Sequence, residues 1–241
     1  MILYLHGFTS GPQSQKAQLL GARAAERGVE FVCPQLPHSP RAAVALAEGI
    51  VAKKLGRPLA AEGAPRSGGV AAASGMRDAG LRSAAAASAS TVASPQAGPL
   101  LHAPASPGDT VALVGSSLGG YYATYLAEKH GLRAVLVNPA VVAHISLEKF
   151  IGPQQNLYTG ERFDFTRDHI AELRTLEVAR LSRPENFWLL VEAGDEVLDY
   201  HQAVARYAGA RQTVLAGGDH SFTRWPDVLD QVIYFANEHP V

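Results

Sequence analysis

Ser117 is the residue in this sequence best placed to do chemistry. It stands at the centre of Gly115-Ser116-Ser117-Leu118-Gly119, a G-x-S-x-G pattern. The apolar run Val111–Val114 leads directly into the pattern, and Gly120-Tyr121-Tyr122-Ala123-Thr124-Tyr125-Leu126-Ala127 leaves it with the composition of a helix. A serine on a sharp strand-to-helix turn has its hydroxyl lifted clear of the sheet. The turn is so tight that the residues two before and two after must be small. Gly115 and Gly119 meet that demand. The five letters alone would also suit a glycine-rich turn that packs closely or cradles a phosphate, but the flanking strand and helix favour a nucleophile elbow. Ser116, the neighbouring hydroxyl, lacks the glycine spacing.

A serine hydroxyl is a weak nucleophile until a base takes its proton. Where this elbow occurs, an acid and then a histidine follow the serine along the chain. The run Phe187–Val191 ends in Glu192-Ala193-Gly194-Asp195-Glu196-Val197. An acid just past a strand's C-terminal end shares the rim of the sheet with the elbow. Asp195 is the natural choice, Asp199 the runner-up, with Glu196 and Glu192 behind. Past the last strand, Gly217-Gly218-Asp219-His220-Ser221-Phe222 forms a turn from which His220 can overhang the sheet. Of nine histidines, it alone combines a strand-end turn with the right place in the order. His169, His201 and His239 fall in helix-like or terminal segments, and Asp219 reads as a turn residue.

The chemistry expected of this set is acyl transfer. His220 takes the serine proton on one ring nitrogen while the other donates to Asp195. The oxyanion that develops needs two N–H donors. Leu118, just after the nucleophile, supplies one, and Phe8 is the candidate for the other, in the loop that follows the first strand. Gly7 lets that backbone approach closely, and His6 is expected to brace the loop. Phe222 and Trp225 are candidate pocket residues, whereas Phe187 and Trp188 are expected in the strand core. No metal or organic cofactor is needed, and pairs such as Asp168-His169 lack metal-site spacing.

These residues need a scaffold, and the chain supplies short apolar runs that alternate with helical patterns. The runs are Ile2–Leu5, Val29–Cys33, Val111–Val114, Ala134–Val137, Phe187–Val191 and Thr213–Leu215. Helix-like stretches cover Lys16–Arg27, Tyr121–His130, Gln202–Ala210 and Pro226–Glu238. Runs apolar on both faces suit buried parallel strands, and the alternation predicts a doubly wound, mostly parallel α/β sheet of about six strands. One stretch departs from the pattern. Residues 56–108 are dominated by Ala, Gly, Ser and Pro and contain no Phe, Trp or Tyr. Too little apolar surface is on offer there to offset the entropy of ordering. The expectation is therefore a single domain over 1–241, interrupted by a disordered surface insertion.

Bulk properties narrow the partners. The chain has 241 residues and a formal net charge of −1, so it carries no electrostatic footprint for nucleic acid or an anionic membrane. Cys33 is the only cysteine; no internal disulfide can form, and it reads as a small core residue. Met1–Leu5 lacks a basic leader, and no stretch approaches the ~20 apolar residues of a membrane span. The expectation is a soluble cytoplasmic protein acting on a small molecule.

Several blocks resemble the YqiA/YcfP-type bacterial esterases of the α/β-hydrolase superfamily. They are Leu3-Tyr4-Leu5-His6-Gly7-Phe8, Pro34-Gln35-Leu36-Pro37, Val114–Thr124, Val137-Asn138-Pro139-Ala140, Asn156-Leu157-Tyr158-Thr159-Gly160, Gly194–Tyr200 and Gly217–Phe222. They keep their order over nearly the whole chain, and only the insertion at 56–108 has no counterpart. The resemblance implies a compact hydrolase without a large lid domain, active on short acyl esters and on acyl-CoA thioesters. It places nucleophile, acid and base at Ser117, Asp195 and His220. An acyltransferase or dedicated thioesterase on the same machinery fits equally well. A partner-binding protein with a vestigial site fits less well, because nucleophile, acid and base are all present in order. Acyl chain length, physiological substrate and oligomeric state are not written in the sequence, since fold does not specify substrate.

Overall fold

The computed structural model describes residues 1–56 and 110–237. The first half of the chain contains β1 (Ile2–Leu5), α1 (Gln15–Glu26), β2 (Phe31–Val32), α2 (Pro40–Leu55), β3 (Ala112–Ser116), α3 (Leu118–His130) and β4 (Arg133–Val137). Then follow α4 (Ala143–Ser146), β5 (Gly152–Gln155), β6 (Arg162–Phe165), α5 (Arg167–Thr175), β7 (Phe187–Glu192), α6 (Tyr200–Arg206), β8 (Arg211–Leu215) and α7 (Trp225–Asn237). Six strands form one sheet in the order β2-β1-β3-β4-β7-β8, and every neighbouring pair is parallel.

Alternation along each strand sends successive side chains to opposite faces, and both faces are covered. Leu3, Leu5, Leu113, Leu136, Leu189 and Val191 pack with residues of α2, α3 and α5 on one side. Ile2, Tyr4, Val114, Val135, Val137, Trp188 and Leu190 pack with residues of α1 and α7 on the other. This double burial is why the strands read as unbroken apolar runs. Phe222 and Trp225, candidates for a pocket, are instead 1% and 2% exposed within the second of these cores. The Trp225 indole N–H donates to the Lys16 carbonyl at 2.9 Å, so its one polar atom is satisfied inside the α1–α7 packing.

The structure adds elements that the apolar runs did not signal. Ser39 accepts from the Ala42 N–H at 3.2 Å and Pro40 opens the helix, so α2 has a conventional start. Its buried Ala43, Val44, Ala47 and Val51 have helical spacing, but small alanines make a weak apolar stripe. β5 and β6 form a separate antiparallel hairpin whose first strand reads Gly-Pro-Gln-Gln, a sequence with no strand pattern. The run Val29–Cys33 keeps only two residues as strand. Apart from Gly56, which closes α2 at φ 61°, the insertion expected at 56–108 lies outside the described residues. Among the described residues no helix is long and apolar enough to cross a membrane.

From β1 the chain steps to β2 on one side, and later from β1's other neighbour, β3, to β4 on the opposite side. That reversal leaves a crevice outside the carboxyl ends of β1 and β3, the place where open α/β sheets bind ligands. The loop after β1 carries Gly7 and Phe8. The turn after β3 carries Ser117.

Candidate active site

The turn between β3 and α3 is held in an unusual backbone conformation. Ser117 has φ 55° and ψ −121°, a region that costs a non-glycine residue about 1–3 kcal/mol. The surroundings impose it. The Ser117 N–H donates to Val137 O at 3.1 Å, and its own carbonyl accepts from Gly120 and Ala140 at 2.9 and 3.1 Å. A Cβ on Gly115 would lie 2.7 Å from Gly120 Cα, and one on Gly119 would collide with the Leu5 carbonyl and lie 2.7 Å from His6 O. Both glycines are therefore required by close backbone approach. Gly7 lies close to the nucleophile: a Cβ there would meet the Ser117 side chain, Cβ at 3.2 Å and Oγ at 3.7 Å.

Three residues named from the sequence converge here. Ser117 Oγ donates to His220 Nε2 at 3.1 Å. His220 Nδ1 donates to Asp195 Oδ2 at 2.8 Å and Oδ1 at 3.0 Å. That pairing selects the tautomer with a free Nε2 lone pair facing the serine. The Asp195 side chain is only 2% exposed. Burial alone would raise its pKa, but the hydrogen bond from His220 and the N–H groups of Leu198 and Val197 outweigh it and hold the carboxyl below its ordinary range. Asp195 is therefore an anion fixed by both loop and imidazole.

The other acids take different work. Asp199 caps α6 by accepting from the His201 N–H, and Glu196 accepts from the His220 N–H at 3.0 Å. Asp219 accepts from the Ser221 N–H as a turn residue. Glu192 is fully buried. Its carboxylate accepts from the backbone N–H groups of Asp219, Thr223 and Arg224, from the Thr223 hydroxyl, and pairs with Arg224 Nε at 3.3 Å. Burial pushes its pKa up, and these donors pull it down further, to below the usual carboxylate range. Glu192 thus anchors the loop that presents His220.

Asn138 completes that anchoring. At φ 41° it accepts from the Glu192 N–H at 3.0 Å through Oδ1, while Nδ2 donates to the carbonyls of Asp219 and His220 at 2.9 and 3.2 Å. One side chain joins the ends of β4 and β7 to the histidine loop. Lys16 adds a cation: its Nζ donates to Ser221 O at 2.8 Å. Burial lowers its pKa to about 8, against the pull of Asp219, Asp195 and Glu192. Sequence reasoning passed over Asn138 and Lys16. The one signal for Asn138 was an Asn-Pro pair at a strand end.

The oxyanion candidates flank Ser117. Leu118 is the first residue of α3, so its N–H is one of the unpaired donors of a helix N-terminus. The Phe8 N–H donates to no other described residue. His6 braces the loop from within: its Nε2 accepts from the Leu36 N–H at 3.0 Å and Nδ1 contacts Gly7 O at 3.0 Å. Burial lowers its pKa, which favours the neutral ring this arrangement needs. Cys33 is half-buried, and burial pushes its thiol up to about 12. Among the described residues no three His, Cys, Asp or Glu side chains are grouped so as to hold a metal ion.

Solved structures with the same architecture span almost the whole chain. A structure from Agrobacterium vitis S4 aligns with a TM-score of 0.61 at 16% identity, covering 98% of this chain and 87% of that one. Est1E from Butyrivibrio proteoclasticus aligns with 0.56 at 14%, covering 97% and 85%. The ydeN gene product of B. subtilis aligns with 0.54 at 12%, covering 98% of each. At such identities the likeness concerns the fold, which is that of the α/β hydrolases. The sequence itself matches the uncharacterised protein family UPF0227 over residues 1–72 and 100–237. The interval between the two matches, 73–99, is shorter than the span of 56–108 set apart by composition. On that match, and on the blocks that resemble its YqiA/YcfP-type members, the chain belongs to the UPF0227 family of the α/β-hydrolase superfamily.

Proposed function

We propose that the chain is a serine hydrolase that cleaves carboxylic esters through an acyl-enzyme on Ser117. The observation that carries this reading is the continuous hydrogen-bond path from Ser117 Oγ through His220 to the buried Asp195 carboxylate. Ser117 Oγ attacks the ester carbonyl carbon as His220 Nε2 accepts its proton. Asp195 stabilises the imidazolium that forms. The carbonyl oxygen becomes an oxyanion between the N–H groups of Phe8 and Leu118. As the tetrahedral intermediate collapses, the bond to the leaving oxygen breaks and His220 returns the proton to it. Water then repeats the cycle, leaving free acid and free Ser117. Thioesters would follow the same steps with sulfur as the leaving atom. A fold neighbour from Rhodothermus marinus is named as an esterase domain, which supports the reading by analogy of fold.

Purified protein is expected to turn over at least one member of a p-nitrophenyl ester series from acetate to palmitate, or of the matching acyl-CoA thioesters. Free acid and leaving group should appear in equal amounts, since water is the acceptor. Transfer of the acyl group to an added alcohol or thiol in place of acid release would identify an acyltransferase. A folded protein inert to the whole series would overturn the reading.

A further inference from the structure

The β5–β6 hairpin reaches back across the chain to the loop after β1. Asn156, at the turn of the hairpin, is 2% exposed. Its Nδ2 donates to Ser10 O at 2.7 Å, a contact across 146 residues of sequence. The next residue, Leu157, donates its N–H to Thr9 O at 2.8 Å. Asn156 Oδ1 meanwhile accepts from the N–H groups of Tyr158 and Thr159 at 2.9 and 3.0 Å. Only one orientation of the amide satisfies all these partners, because the oxygen can accept and the nitrogen can donate but not the reverse. One side chain therefore shapes the hairpin turn and grips the β1 loop.

That loop is not in a relaxed conformation. Thr9 has φ 54°, an uncommon state for a β-branched residue that persists only when its surroundings over-determine it. The hairpin supplies further contacts. The Phe8 ring lies 6.1 Å from Phe163 and 5.0 Å from Phe165 on β6, and 5.7 Å from Phe150 just before β5. Backbone bonds at Thr9 and Ser10 and an aromatic cluster around Phe8 thus hold three successive residues from one direction.

We infer that the β5–β6 hairpin is a clamp for the oxyanion loop, and that Asn156 is the positioning residue that sets where the Phe8 N–H points. The inference rests on the reading of Phe8 as an oxyanion donor. An N–H must lie about 2.7–3.1 Å from the oxygen as charge develops on it, and a misplacement of about 1 Å can cost about 10²-fold in rate. The clamp acts on the transition state, so it should leave substrate binding largely alone.

The variant that isolates the clamp is Asn156→Asp. The carboxylate keeps the acceptor that shapes the turn but replaces the donor to Ser10 O with an oxygen that repels it. The expected result is a fall in kcat of about 10²-fold, with KM within about threefold of wild type. Hydrogen exchange should be faster in a peptide spanning residues 6–10 and at Leu157, whose N–H bonds Thr9 O across the clamp, and unchanged in β6 (Arg162–Phe165). Gln155→Ala, which removes an exposed bond within the hairpin to Gly160 O, should change neither rate nor exchange in 6–10. The exchange measurement stands apart from the ester reading. If wild-type protein hydrolyses no ester yet Asn156→Asp loosens 6–10, the clamp holds and the ester reading falls. If wild type is active and Asn156→Asp retains full kcat and wild-type exchange, the clamp is wrong. An inert wild type with unchanged exchange would sink both.

Discussion

Ser117→Ala is expected to lower ester hydrolysis by on the order of 10⁶-fold, as loss of the nucleophile does where serine, histidine and acid act as a unit. The same substitution should leave the melting temperature nearly unchanged. The φ of 55° at this position is unfavourable because of Cβ, and alanine keeps Cβ. The lost hydroxyl makes one bond, to His220 Nε2, at a partly exposed imidazole that water can reach. Ser117→Gly separates the two effects. It should be equally inactive but more stable than wild type by about 1–2 kcal/mol, because removing Cβ relieves the strain of the elbow. Thermal melts of the three proteins beside their rates on one p-nitrophenyl ester check both halves. A serine-to-alanine protein with more than a few per cent of wild-type activity would mean that another group attacks the carbonyl.

Gly119→Ala is expected to act on folding and not on chemistry. The added methyl would occupy the space of the Leu5 carbonyl and approach His6 O to 2.7 Å. Leu5 is fully buried and registered with Gly115 on β3, so its backbone has little room to retreat. α3 cannot retreat either without dragging Ser117 away from His220. Loss of more than about 4 kcal/mol follows, enough to leave many domains of this size unfolded. Gly49→Ala is the contrasting case. It lies within α2 with open space around its Cβ position and should gain about 1 kcal/mol from helix propensity. Urea denaturation of the pair measures both. Equal stabilities would mean that β1 and α3 are not as close as described.

Sheet and site differ in how much of them sequence can convey. The central strands were legible because burial on both faces leaves runs such as Ala134–Val137 with no polar interruption. The hairpin was not, because Gly152–Gln155 is half-exposed and its pattern carries no apolar face. Ser117, Asp195 and His220 could be named because each stands at the end of a strand, and parallel strands bring their C-terminal ends to one rim. The residues that hold them were invisible for the converse reason. Asn138, Glu192 and Asn156 act through hydrogen bonds between segments distant in sequence, with no periodicity to betray them. From its position alone, just past the Phe187–Val191 run, Glu192 is a weak candidate for the acid. Its carboxylate bonds the backbone N–H groups of the 219–224 loop, whereas that of Asp195 bonds the His220 ring. Phe222 and Trp225 were misjudged because an aromatic near a histidine loop looks alike whether it faces a pocket or a core.

The proposed mechanism makes Ser117 a nucleophile activated by His220 and Asp195. Incubation with a fluorophosphonate, followed by intact-mass and peptide analysis, tests it without any assumption about substrate. One adduct per chain is expected, on Ser117, formed by the folded protein and absent after denaturation or in Ser117→Ala. Labelling slowed by orders of magnitude is also expected in His220→Ala, since the bond to Nε2 is what removes the serine proton. A folded protein that stays unlabelled, or one labelled at Ser116 or elsewhere with Ser117 untouched, would contradict it.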